Sequence, residues 1–366
     1  MIFWYNFNSR VMLMNLPFIH LVILYCLYRL DGDRSVSSIY HLLKGKKSAQ
    51  TLQDVHLFGL TPFFKTYESL PRPLLMQAAE HLAQSFFIVE SSPLHFQVTE
   101  KGRKQAEKFF DDFPFLSYLD GWTYQKADVF WERLTLLVQV VSNLSCRETQ
   151  YVPVQKNPET QQWVKNFLKQ KSFNRREISR GLYTELEEGL SSNHLVDPSV
   201  LVLRLTGARH IGMTAGQAAK ELQMEETLYH FQFLALLHHL MKTGRTNRRD
   251  FPILYELAGE IVRPCSLTNS AKITMNFLRK GLSLEEVASI RRLKINTIQD
   301  HIVELALNVD GFDISPYVSE ECENAIIAAA RKAASKQLKQ IRRYAEQADY
   351  FQIRLVLAKY GDELIT

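Results

Sequence analysis

The chain has 366 residues, of which 46% are apolar and 23% charged, and its formal net charge is only +5. Such a length holds two or three domains with sizeable cores, and the composition excludes a disordered polyelectrolyte. A charge this mild also excludes a uniformly cationic nucleic-acid coat, so any DNA contact must come from local patches.

Residues 1–13 read as an unstructured extension, and both Met1 and Met14 are compatible starts. The run from Val11 to Leu30 is apolar but contains Asn15, Pro17, His20 and Arg29. The spacing of Phe18, Leu21, Val22, Tyr25, Leu27 and Tyr28 fits a buried helix better than a membrane anchor, and no small-residue cleavage site follows.

Residues 14–110 have the order of a winged-helix domain. Ile39, Leu42 and Leu43 precede a turn at Gly45, and Leu52, Val55 and Leu57 or Phe58 follow it, which predicts two helices about a tight turn. Pro71 and Pro73 open a third helix carrying Leu74, Leu75, Ala78 and Leu82 on one side. Phe86 to Val89 and Phe96 to Thr99, separated by Ser91-Ser92-Pro93, predict a hairpin, or wing, and Thr99 starts a further helix. Lys44, Lys46 and Lys47 lie at the turn, where a helix N-terminus and lysines together suit a DNA phosphate. A plain solvated turn explains them equally well. They are not a nucleotide loop, since a Walker motif needs Gly where Tyr40 stands.

Residues 111–264 form a helical middle region. The polar stretch from Ser145 to Glu159, with Pro153 and Pro158, reads as an internal boundary. Lys165, Lys169, Lys171, Arg175 and Arg176 read as a solvated face. From Gly212 to Leu234 the sequence repeats a pattern found again near residue 288, with Ala219 matching Ala288 and a one-residue gap bringing Thr227-Leu228 onto Thr297-Ile298. This predicts a degenerate helix-turn-helix.

Residues 265–366 contain the most informative segment, Gly281 to Ile302. Ser283 and Glu286 have capping-box spacing. Leu293 and Ile295 plug a turn, Ala288 is small where two helices cross, and Ile298 and Ile302 mark the inner face of a second helix. Asn296, Gln299, Asp300 and Val303 fall nearer its outer surface. Arg291, Arg292 and Lys294 suit phosphates, and Asn296, Thr297 and Gln299 suit base edges. Asp300 and Glu304 on the same helix would repel phosphates, which favours weak, structure-directed binding or protein docking over operator reading. From Val318 to about Tyr344 the pattern predicts one long helix, with Lys332, Lys336, Lys339 and Arg343 as a basic stripe for a partner.

Chemistry is otherwise sparse. The cysteines, Cys26, Cys146, Cys265 and Cys322, lack CxxC spacing and read as reduced thiols in a cytoplasmic protein. His230, His238 and His239 lack a ligand set at helical spacing, and no nucleophile or metal motif occurs, so no catalytic residue, metal or cofactor is assigned and the chain reads as a non-enzyme. The fold expected is mainly α, a multi-module helix-turn-helix protein with a small β-hairpin wing.

Three stretches, residues 40–60, 281–305 and 350–358, resemble the YpbB family of bacterial helix-turn-helix proteins. The last two together are similar to the helicase helix-turn-helix domain at the C-termini of some RecQ-type helicases. The resemblance implies an accessory protein of a RecQ-family helicase, acting on forked or single-stranded DNA in fork maintenance or recombinational repair. Two other classes fit the residues: a transcriptional regulator reading an operator, and a scaffold that binds protein alone.

Overall fold

In a computed structural model, residues 16–169, 175–262, 267–309, 311–333 and 338–364 are described. The expected extension at 1–13, Lys171, Cys265 and Lys336 lie outside them. The described chain is mainly helical, with one two-stranded antiparallel sheet. Its elements begin with α1 (Phe18–Leu30), α2 (Val36–Leu43), α3 (Ala49–Leu57), α4 (Arg72–Gln84), β1 (Ile88–Ser92), β2 (His95–Val98), α5 (Glu100–Glu107) and α6 (Phe109–Asp112). There follow α7 (Ala127–Ser145), α8 (Pro158–Lys169), α9 (Arg175–Ser191), α10 (Ser199–Val202), α11 (Ala215–Glu221), α12 (Glu226–Thr246) and α13 (Pro252–Ala258). The C-terminal part comprises α14 (Asn269–Leu278), α15 (Leu284–Arg291), α16 (Ile295–Asn308), α17 (Glu320–Ala333), α18 (Leu338–Tyr344) and α19 (Tyr350–Leu364). No helix among the described residues is long and apolar enough to cross a membrane.

The chain groups into two compact units, each built from two separated stretches: Met1–Ile23 with Lys104–Arg263, and Leu24–Arg103 with Pro264–Thr366. This grouping differs from a division at residues 110 and 264, because sequence-distant helices share one core. In the second unit α3 packs on both α16 and α19. Arg354 on α19 supplies the polar link. Its Nε donates to Gln53 Oε1 on α3 at 2.8 Å, and its Nη1 lies 2.7 Å from Asp300 Oδ1 on α16.

In the N-terminal stretch of this unit, Ile39, Leu42 and Leu43 of α2 and Leu52, Val55 and Leu57 of α3 are buried. Gly45 between them has φ +69°, and a Cβ there would meet the Lys65 side chain at 2.4 Å, so both the turn and its packing require glycine. The wing forms from β1 and β2 with Ile88 opposite Val98, and its turn residue Leu94 accepts a hydrogen bond from Val36 N at the start of α2. The hairpin starts two residues later than the Phe86 expected. Phe86 instead ends the preceding helix with a left-handed φ of 60°, and 75% of it is exposed.

The first unit is built around aromatic rings. Phe18 lies with its ring 5.0–5.8 Å from those of Phe109, Phe113, Phe115 and Phe231. Burying side chains of this size dominates core energetics, at roughly 1.5–3 kcal/mol each. The stretch from Ser145 to Glu159 is no boundary here: α7 and α8 on either side pack together within one unit. The buried Gln139 side chain pins the loop, donating to Val152 O at 3.0 Å and accepting from Val154 N at 2.8 Å. His238 is buried on α12, and its Nδ1 accepts from Asp120 N at 3.0 Å.

Candidate nucleic-acid interface

Helix α15 starts with a complete capping box: Ser283 Oγ accepts from Glu286 N, and the Glu286 carboxylate accepts from Ser283 N. Each such device satisfies helix-end donors that would otherwise lack partners. The helix stops at Arg292, which adopts a left-handed conformation (φ 52°, ψ 43°), and Leu293 N then reaches back to Ala288 O at 3.0 Å. After that turn α16 begins. Val287, Ala288 and Ile298 form the buried centre, closed by Phe277, Leu278, Leu282, Leu284 and Leu293. With α14 packed against both, the three helices make a compact helix-turn-helix.

The same local design occurs at α11 and α12. Thr214 and Gln217 form a capping box, Gln223 takes the left-handed position, and Met224 N returns to Ala219 O at 2.8 Å. Both turns have equal length, so no gap is needed: Tyr229 takes the place of Ile298, and both are buried. The two turns differ in charge. Gln223, Met224 and Glu225 stand where the C-terminal copy has Arg292, Leu293 and Lys294.

The three basic residues at the C-terminal turn are not equivalent. Arg292 and Lys294 are exposed. Arg291 turns inward: its guanidinium donates to Ser270 O at 2.8 Å, to Ser270 Oγ at 2.9 Å and to the buried Thr274 hydroxyl. It therefore ties α15 to α14, a correction to its expected place beside phosphate. Arg291→Ala is expected to lower stability by about 1–3 kcal/mol, the cost of leaving such partners unpaired. Urea unfolding measures this, and an unchanged midpoint would refute the structural role.

The acids on α16 are also placed differently from the expectation that they face phosphate. Glu304 is only 5% exposed, and its carboxylate accepts from the backbone N and hydroxyl of Thr268, the cap of α14. Burial pushes its pKa above the usual carboxylate range, against the opposing hydrogen bonds of Thr268 and the charges of Lys47 and Lys272. Asp300 is held by Arg354. Val303, expected near the outer surface, is buried, as are Ile298, His301, Ile302 and Leu305. Burial and the Arg291 charge keep His301 below the usual imidazole range. These placements follow from α3, α14 and α19 surrounding the helix, long-range packing that periodicity within α16 does not encode.

What α16 leaves accessible is its first turn. Ile295 and Asn296 are exposed, and Thr297 and Gln299 are half-buried. At the other turn, Lys46 and Lys47 are exposed, while Lys44 is half-buried with its ammonium 5.3 Å above the Tyr40 ring. A cavity of about 160 Å³ opens beside them, lined by Ser38, His41, Lys46, Ser48 and Thr51 among others. The charge of Lys47 also acts on the Glu304 carboxylate.

The proposed partner stripe is divided. Lys332 lies on α17, whereas Lys339 and Arg343 lie on the separate α18, which packs back on α17. Lys332 Nζ is 4.8 Å from the centre of the Tyr344 ring, a closeness that twelve residues of continuous helix, about 18 Å long, would forbid. The Ala-rich sequence gives no sign that α18 packs back on α17.

Residues 270–357 match the family model described as a helix-turn-helix domain. Over 349 residues the chain is 32% identical to Protein YpbB of Bacillus subtilis (strain 168), covering 94% of this chain and 98% of that protein. The chain belongs to the YpbB family. No solved structure matches it. Within this YpbB-family chain the matched domain takes in α14 but for its first residue, all of α15 to α18 and the first half of α19, and α3 from the N-terminal stretch shares its core.

Proposed function

We propose that this YpbB-family protein is a non-enzymatic, DNA-binding partner of a RecQ-family helicase, working in replication-fork maintenance or recombinational repair. The observation that carries the DNA part is the turn into α16 and the start of that helix: Arg292, Lys294 and Asn296 are exposed there, while Asp300 and Glu304 are engaged with Arg354 and Thr268. In helix-turn-helix proteins the N-terminal part of the second helix meets the DNA, with flanking cations on phosphates. Because His301 to Leu305 of α16 are buried, only a few base edges are within its reach, which favours structure over sequence as the determinant. The helicase part is supported by the similarity of residues 281–305 and 350–358 to the module of RecQ-type helicases.

The test is a titration of the purified protein into forked, single-stranded and duplex DNA at several salt concentrations, with and without a RecQ-type helicase. Fork preference, a salt slope equivalent to a few phosphates and tighter binding with helicase present are expected. Selection of a single duplex sequence, indifferent to the helicase, would replace this reading with a transcriptional regulator. Absence of DNA binding with helicase binding retained would leave a protein scaffold.

A further inference from the structure

The corner between α18 and α19 carries a second arrangement suited to nucleic acid, outside the helix-turn-helix. Tyr344 and Tyr350 are 52% and 43% exposed. Each has a cation against its ring: Lys332 Nζ at 4.8 Å from the Tyr344 centre, and the Arg342 guanidinium carbon at 4.6 Å from the Tyr350 centre. Arg331, Lys339 and Arg343 are exposed in the same two helices. Among the described residues none of these five cations is within ion-pair distance of a carboxylate. The acids of α17, Glu320, Glu321 and Glu323, sit in its first turn, at the end remote from Arg331 and Lys332. Asp349 is occupied in capping α19, accepting from Gln352 N at 2.8 Å. Glu346 is the acid left exposed between the two tyrosines.

A duplex hides the faces of its bases, so exposed rings and guanidinium planes beside unpaired cations fit a strand whose bases are open. We propose that this corner binds single-stranded DNA, stacking unpaired bases on Tyr344 and on the Arg342–Tyr350 pair while Lys332, Lys339 and Arg343 meet phosphates. The proposal rests on the DNA part of the functional reading above, but on none of the helix-turn-helix contacts. It also gives the divided stripe a use: the fold-back of α18 brings Lys332 to Tyr344.

The test uses the full chain and a twenty-nucleotide oligo(dT), read by fluorescence anisotropy, with thermal melts to verify folding. Tyr344→Ala with Tyr350→Ala is expected to weaken binding about tenfold to a hundredfold, as loss of stacking does, and to leave the salt slope unchanged. Tyr344→Phe with Tyr350→Phe retains both rings and is expected to bind as wild type. Lys332→Gln, Lys339→Gln and Arg343→Gln together should lower the slope by about 2, at ~0.7 per phosphate for single strands. Wild-type affinity in the double alanine variant would overturn the proposal. So would equal losses in the phenylalanine and alanine variants, since hydroxyl chemistry rather than stacking would then be responsible. Arg292→Gln with Lys294→Gln serves as the separating control. It should weaken duplex or fork binding alone, so failure at the helix-turn-helix and failure at this corner are read on different DNA.

Discussion

Replacing Arg292 and Lys294 together with glutamine is expected to weaken fork and duplex binding about tenfold to a hundredfold at moderate salt. Each removed phosphate contact should also reduce the slope of log affinity against log salt by about 0.9, so the pair accounts for about 1.8. The fold should survive, because both side chains are exposed and neither contributes to the Val287, Ala288 and Ile298 core. Arg292 permits a sharper version. Its left-handed backbone is a conformation that costs a residue with a Cβ about 1–2 kcal/mol and costs glycine almost nothing. Arg292→Gly should therefore keep or raise stability while losing affinity, a combination that generic damage cannot produce. Binding equal to wild type, with an unchanged salt slope, would remove this turn from the interface. The middle copy of the motif behaves as an internal comparison, since Gln223 holds the same backbone position without charge.

Acid is expected to destabilise the first unit through His238. Burial lowers the pKa of this ring from 6.5 to about 3, and its Nδ1 is already committed as the acceptor for Asp120 N. A proton there would break that hydrogen bond and place an unpaired charge in the core. The sign follows directly. The unfolded chain takes up the proton near pH 6.5 and the folded chain does not, so stability is complete above that pH and falls as pH drops toward 3. Between pH 6.5 and 4.5 this single group costs about 2 kcal/mol, since the slope reaches its full ~1.4 per unit only once the unfolded ring is mostly protonated. Comparison with His238→Gln isolates the effect, because its amide oxygen still accepts a hydrogen bond but does not titrate. The variant should start less stable at neutral pH and lose less on acidification. Parallel melting-temperature profiles for the two proteins would show that the ring is not responsible.

Local features of the fold were legible in the sequence, and distant ones were not. The capping box at Ser283, the helical spacing of Ile298 and Ile302, and the wing around Pro93 are each specified by neighbours within a few residues. Arg291 and Glu304 show where such reading stops. Both have the composition of solvated, phosphate-facing positions, yet each is claimed by α14, through Thr274 and Ser270 in one case and Thr268 in the other. A charged residue on a helix face is read as exposed unless the partner that neutralises it is known, and these partners lie 17 to 36 residues away. The fold-back of α18 on α17 was hidden because the alanines of α17 and the Leu, Lys, Gln and Arg residues of α18 all favour helix. Tyr344 and Tyr350 carried no signal because they share no periodic pattern, one ending α18 and the other starting α19, and only their exposure and the cations on their rings distinguish them.

The pairing of Gln53 with Arg354, and of α3 with α16 and α19, bears on how the chain is made. During synthesis, Leu24–Arg103 emerges with the surface of α3 uncovered, and its complement is not translated until the whole intervening stretch, Lys104–Arg263, has passed. At ~5–20 residues per second that interval is on the order of ten seconds or more. The intervening unit can complete its own aromatic core during this time, whereas the first-made helices must wait, apolar and accessible to chaperones, for the last-made ones. Contacts of such long sequence separation slow folding. For the same reason, the helix-turn-helix at residues 270–357 is not a detachable cassette: expressed alone, it would expose the faces of α16 and α19 that α3 covers in the whole protein.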